Sequence, residues 1–290
     1  VLDPIFIFAC KWGMMGAAVA TILGQIVSAL MFAGYLFKMK AVKLDRDSFK
    51  FRFSLMKKIA PMGMASLLTQ ISIALSMAVV LSMLEKYGKM DPIFSREGFA
   101  QIPTAVFGIV IKIYQVVISI AIGLATGSIP IAGYNMGARR SDRVRKLMKL
   151  LLTAEVVVGL IATVVFLVFP RQITYIFGGA NESQEYIDFS VKYLRIFMCM
   201  SVLSCFNKGV AIFEQALGHA KTATGLSILR EIVFGISMPL ILPIFMGLDG
   251  ILYFMPVSDI VTFVVSAIVV VHTVKTLQKA GPETLPPQEA

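Results

Sequence analysis

Charge is scarce in this 290-residue chain: Asp, Glu, Lys and Arg together make up 15% of it, against about a quarter in ordinary soluble domains. Cysteine is scarcer still. Cys10, Cys199 and Cys205 lie in or beside apolar runs without metal-type spacing, so they read as small core residues rather than a disulfide or ligand set. The two histidines, His219 and His272, sit near expected helix ends and read as interfacial. The sequence has no P-loop, nucleophile elbow, zinc signature or dinucleotide fingerprint, and no His, Asp or Glu cluster with catalytic spacing. An enzyme is thereby disfavoured, and no cofactor or metal is expected. The alternating pattern of a membrane β-barrel is missing too. No initiator Met, basic n-region or cleavage site precedes the first apolar run, so that run is expected to be neither a signal peptide nor a natural start.

What is plentiful is apolar sequence, at 57% of the chain. It comes in blocks long enough to cross a hydrocarbon core, which takes about 20 helical residues. Backbone groups in lipid must bond within their own segment, so the blocks are helices. We expect seven, over about 13–37, 59–84, 99–131, 147–169, 189–217, 222–245 and 247–274, with residues 1–10 the tail of another. The fold class is all-α, a polytopic membrane protein.

The net charge of +10 is not a nucleic-acid footprint, because fourteen of the 27 basic residues fall in the stretches 38–58 and 138–149. The stretch between them, 85–98, is balanced, and 170–188 is acidic through Glu182, Glu185 and Asp188. Basic loops alternating with neutral or acidic ones follow the positive-inside rule. They place both basic loops, the Gly218–Lys221 turn and the C-terminal tail in the cytoplasm. Asn181-Glu182-Ser183 matches a glycosylation acceptor on the other side, a pattern common by chance.

The beginning of the chain recurs near its end. Gly13-Met14-Met15-Gly16 opens one apolar run and Gly247-Leu248-Asp249-Gly250 another; in that register Gln25 to Ser28 fall on Asp259 to Thr262. Pro4-Ile5-Phe6 is echoed by Pro243-Ile244-Phe245. Two similar halves are a common plan for transporters that open a central site alternately to each side. The repeat leads us to expect a parent chain longer by about four helices, its first half only partly present here.

Three stretches carry a family resemblance. Leu2-Asp3-Pro4 followed by Gly13-Met14-Met15-Gly16-Ala17-Ala18-Val19-Ala20-Thr21 is one. The second is Gly123-Leu124-Ala125-Thr126-Gly127-Ser128-Ile129-Pro130-Ile131-Ala132-Gly133-Tyr134-Asn135-Met136-Gly137-Ala138-Arg139. The third is Phe213-Glu214-Gln215-Ala216-Leu217-Gly218-His219-Ala220-Lys221. Together they resemble the multidrug and toxic compound extrusion (MATE) antiporters, as helices six to twelve of twelve. The resemblance implies two six-helix lobes rocking about a central cavity, exchanging a coupling ion, H+ or Na+, for amphipathic and often cationic drugs. It divides the chain into 1–37, the end of the first lobe; 38–58, a basic inter-lobe loop; 59–274, the second lobe; and 275–290, a tail. One sodium-coupled branch carries a cavity glutamate on its seventh helix. The matching stretch here, 59–84, has no acid before Glu85, and Gln70 is its most polar deep residue.

In the second motif, Gly123, Gly127, Gly133 and Gly137 are expected to let helices approach closely, and Pro130 to break the helical ladder. Tyr134 and Asn135 are expected to bond exposed backbone and headgroups at the inner interface. Charge buried in a membrane costs about 2.5–3.5 kcal/mol per residue even on a lenient scale, so function should show where charges lie deep. Lys112, Lys208, Arg230, Glu231 and Asp259 fall near the bilayer middle, Glu155 shallower, and Glu214 close to a cytoplasmic turn. Asn207 and Glu214 share one helical face, Lys208 and Gln215 the next, with Ser204 beside Lys208. With Lys112, Tyr114 and Gln115 they are expected to form a hydrated wall. Arg230 and Glu231, being adjacent, are expected to face different directions. The three cations against two anions lean towards an alternative reading: a flippase of the same superfold carrying an anionic lipid-linked saccharide.

Overall fold

The computed structural model describes residues 5–9, 11–38, 53–96, 99–179 and 182–279. Leu2-Asp3-Pro4, Cys10, Asn181, most of the 38–58 loop and the end of the tail lie outside the described residues. Among those described there is no strand. Among the described residues six helices are long and apolar enough to cross a membrane, or seven if one bent pair counts as a single span.

The chain divides into two compact units, Val1–Pro61 and Met62–Ala290. In the first, a π turn Ile5–Ala9 leads into α1 (Gly13–Lys38). The second begins inside α2 (Phe53–Met90) and continues through α3 (Ile102–Gly137), α4 (Ser141–Val168), short α5 (Pro170–Ile176), α6 (Gln184–Met198) and α7 (Ser201–Ala216). Then come α8 (Ala220–Ile228), a π turn (Leu229–Phe234), α9 (Gly235–Met246), α10 (Leu248–Leu252) and α11 (Phe254–Lys279).

Among the boundaries that differ from expectation, three bear on the shape or on the charged stretches. The stretch 189–217 is not one rod: α6 and α7 meet at a 44° bend, with the Ser201 hydroxyl bonded to the Met198 carbonyl at the break. The basic stretch 138–149 is mostly helix, since α4 starts at Ser141. Likewise α2 runs on to Met90 through residues read as loop. Membrane helices project past the hydrocarbon into the headgroup layer, where charged side chains are at home.

The recurring glycines adopt matching geometry. Gly13 and Gly247 both turn the chain at positive φ, +53° and +60°. Three residues on, a Cβ on Gly16 would lie 2.8 Å from the Phe6 carbonyl oxygen, and one on Gly250 would lie 2.5 Å from the Leu242 carbonyl carbon. Each pair turns the chain and then packs a helix start against the preceding segment. Glycine is required twice over at each place.

In the second unit the core comes in two apolar layers. One is aromatic, with Phe107, Tyr193 and Phe197 in ring contact and Tyr114 edge-on to Phe197. The other gathers Val144, Met148, Phe213, Leu217 and Leu277 towards the opposite ends of α4, α7 and α11. Between them along α7 and α11 lie buried Ser204, Asn207, Ser258, Asp259, Thr262 and Ser266. Pro239 cannot donate to the Gly235 carbonyl one turn back, and the Ser76 hydroxyl supplies that bond at 2.6 Å.

Candidate functional site

The polar layer is organised around a guanidinium. Arg230 stands in the π turn between α8 and α9, with its side chain 9% exposed. Its Nε donates to Asp259 Oδ1 of α11 at 2.8 Å, its Nη1 to Glu231 Oε1 at 2.7 Å, and its Nη2 to the Tyr114 hydroxyl of α3 at 2.6 Å. Ser204 of α7 donates to the second oxygen of Asp259. Asn207 Nδ2 donates to the Asp259 main-chain carbonyl at 3.0 Å, and the Ser258 hydroxyl to the Arg230 carbonyl at 3.3 Å. Four elements thus meet on one ion pair. Charge-assisted bonds of this kind keep both charges in a low-dielectric interior, where removing either partner strands the other.

Among the residues expected at the site, Asp259, Arg230, Glu231 and Asn207 come together with Ser204 and Tyr114. Lys208 is half-buried beside them. It makes no ion pair among the described residues but borders a cleft of about 10 Å³ with Asn207, Glu231 and Thr262. Arg230 and Glu231 do not diverge as expected; the Arg230 side chain is long enough to bond its neighbour and still reach α11.

The hydrated wall is not assembled as read. Lys112 and Gln115 are exposed on the far face of α3 from Tyr114, lining a separate open hollow of about 460 Å³. Gln70 is exposed on α2 and joins neither group. Without Lys112 the cluster balances two cations, Arg230 and Lys208, against Asp259 and Glu231, so the positive lean is lost. Glu214, though on the face of Asn207, belongs to a different group. It is buried, accepts from Thr273 Oγ1 at 2.6 Å and meets His219 Nδ1 at 2.7 Å, beside a cavity of about 390 Å³ that His272 also lines.

The glycine-rich motif also differs from expectation. No atom beyond the local helix lies within 4 Å of where a Cβ would stand on Gly123, Gly127, Gly133 or Gly137, so among the described residues they mediate no close approach. Helix α3 runs unbroken through Pro130. Asn135 turns inward, its Nδ2 bonding the Ile131 carbonyl at 2.8 Å, while Tyr134 is 74% exposed.

Glu155 was read as shallow. It is wholly buried in mid-α4, and among the described residues neither carboxyl oxygen has a hydrogen-bond partner. A Cβ on Gly209 of α7 would lie 2.8 Å from Glu155 Cγ, so the missing side chain makes its room. Apart from Asp259, the inward polar residues of α11 are not among the expected site residues. Their signal was present: Ser258, Asp259, Thr262, Ser266 and Thr273 recur at helical spacing in an otherwise apolar run.

A family model described as MatE matches residues 93–241, just over half the chain. The chain belongs to the MatE family. Its curated relatives include the multidrug export protein MepA of Staphylococcus aureus (strain MSSA476), 23% identical over 260 residues that make up 89% of this chain and 54% of MepA. MepA of Staphylococcus haemolyticus (strain JCSC1435) is 22% identical over 262 residues, 90% of this chain and 54% of the relative. The chain therefore spans about half the length of the curated relatives it matches. Among solved structures it is similar to a multidrug resistance MATE family transporter of the MOP superfamily in an outward-facing conformation, at 23% identity and a TM-score of 0.78, covering 96% of this chain and 60% of that one. A MOP superfamily transporter from Pyrococcus furiosus, described as having a binding pocket of reverse polarity that suggests a different function, matches with the same identity, coverage and TM-score. The chain shares the fold of these structures and is a multi-pass membrane protein.

Proposed function

We propose that this chain forms part of an ion-coupled multidrug efflux antiporter, working by alternating access in a bacterial inner membrane with its C-terminus in the cytoplasm. The observation that carries the reading is the closed Arg230–Asp259–Glu231 cluster within spanning helices. Antiport requires that ion and drug favour opposite-facing states; a ligand with equal affinity for both shifts nothing. Here the two carboxylates are held by one guanidinium. A coupling ion, H+ or Na+, that takes Asp259 or Glu231 competes with Arg230, and a cationic drug is a second competitor for the same oxygens. Mutual exclusion at shared carboxylates is the physical content of exchange. Lys208 supplies a further cation at the edge of the cluster.

In this reading residues 1–37 end a first lobe, 38–58 join the lobes, 59–274 make the second lobe and 275–290 a tail, the remaining helices being supplied by the rest of a longer protein. The balanced charge of the cluster weighs against an anionic lipid-linked sugar as cargo, which a net positive lining would favour.

Cells expressing the full-length protein with Asp259→Asn or Lys208→Ala should lose drug efflux while membrane insertion is retained. Unchanged drug resistance in either variant would remove that residue from the site. In proteoliposomes, imposing a proton gradient and a sodium gradient separately should identify the coupling ion by which of them drives drug uptake.

A further inference from the structure

A second feature of the membrane-spanning unit has no part in that exchange. A groove of about 820 Å³ opens between α4, α7 and α11. At the start of α4 its rim carries Arg145, Lys146 and Lys149, with Asp142 as the one acid. Asp142 neutralises little: it contacts Arg145 at 3.2 Å but is 89% exposed, so the rim keeps a net positive charge. Further along, the walls turn mostly apolar, formed by Leu152 and Val156 of α4, Phe206 of α7 and Val270 of α11; the one hydroxyl there, on Thr153, donates to the Lys149 carbonyl at 2.8 Å.

The dimensions match one leaflet. From Arg145 to Val156 a helix rises about 16 Å, and from Lys149, whose long side chain can snorkel outwards, about 10 Å. Half a hydrocarbon core is about 15 Å, which leaves the basic turn at headgroup level. We infer that this groove binds an anionic phospholipid, its phosphate held by Arg145, Lys146 and Lys149 and one acyl chain lying along Leu152, Val156, Phe206 and Val270. Basic pockets between spanning helices suit anionic headgroups, and the chemistry here excludes the obvious competitor. An amphipathic cation fits the walls but is repelled by the rim.

The test uses the purified protein in phosphatidylcholine vesicles doped with spin-labelled phosphatidylglycerol or spin-labelled phosphatidylcholine. The immobilised fraction should favour phosphatidylglycerol, and the preference should fall about fivefold for each cation removed in Arg145→Gln, Lys146→Gln and Lys149→Gln. The Lys146→Arg/Lys149→Arg variant, which keeps charge and fold, should retain it. Val156→Trp, which fills the apolar end, should reduce immobilisation of phosphatidylglycerol with the rim intact. Equal immobilisation of the two lipids, or an undiminished preference in the three neutralised variants, would overturn the assignment. Full displacement of labelled phosphatidylglycerol by inorganic phosphate would overturn it too, leaving an anion site without an acyl groove.

Discussion

Asp259 and Glu155 are both buried carboxyl groups that touch α7, and they are treated in opposite ways. Asp259 receives a guanidinium and a hydroxyl on its two oxygens, and an amide on its own carbonyl. Glu155 receives nothing from the described residues; its carbon chain rests on Gly209 and neither oxygen has a donor among them. Burial alone therefore does not set how much a polar group matters to the fold. What matters is what its removal leaves behind. Deleting a paired charge strands the partner, whereas replacing an unpartnered group by a neutral isostere strands nothing.

The contrast can be broken in four places. Asp259→Asn leaves Arg230 with Glu231 as its sole charged partner and should cost about 3 kcal/mol, read as a large drop in thermal unfolding midpoint in detergent. Ser204→Ala removes one donor from an ionised acceptor and should cost about 2 kcal/mol in the same assay. Gly209→Ala drives a methyl into Glu155 and should cost about 1–2 kcal/mol; in a Glu155→Ala background most of that penalty should vanish, a coupling that a double-mutant cycle reads directly. Glu155→Gln keeps shape and volume and should move the midpoint least, by the equivalent of about 1 kcal/mol or less. A Glu155→Gln variant as damaged as Asp259→Asn would erase the distinction.

The spans were legible because lipid leaves the chain no choice: a run of some 20 apolar residues must be a helix of a certain length. Asp259 and Arg230 were legible for the same reason, as charges where charge is costly. Their pairing was not, since partners depend on how helices are rotated against one another, and no local pattern encodes that. The π turn that carries Arg230 and Glu231 has no signature in the sequence either. Glu155 was misplaced by a countable error: setting the start of its helix at 147 instead of Ser141 removed more than a turn and made a central residue look shallow. Lys112 shows the converse. Its depth was read from its position along the helix, but which side of α3 it occupies follows only from packing. The glycines at 13, 16, 247 and 250 were legible as a repeat, and the matching backbone angles give that repeat a mechanical meaning.

One consequence follows from the bend ahead of α7. Ser204, Asn207 and Gly209 ride on a single short cylinder of 16 residues, hinged at Met198–Ser201. Swivelling that cylinder would uncouple the hydroxyl from one acid and lift the glycine floor from beneath the other in the same stroke. The two acids rest on one shared support, so a swivel of that cylinder would reach both at once.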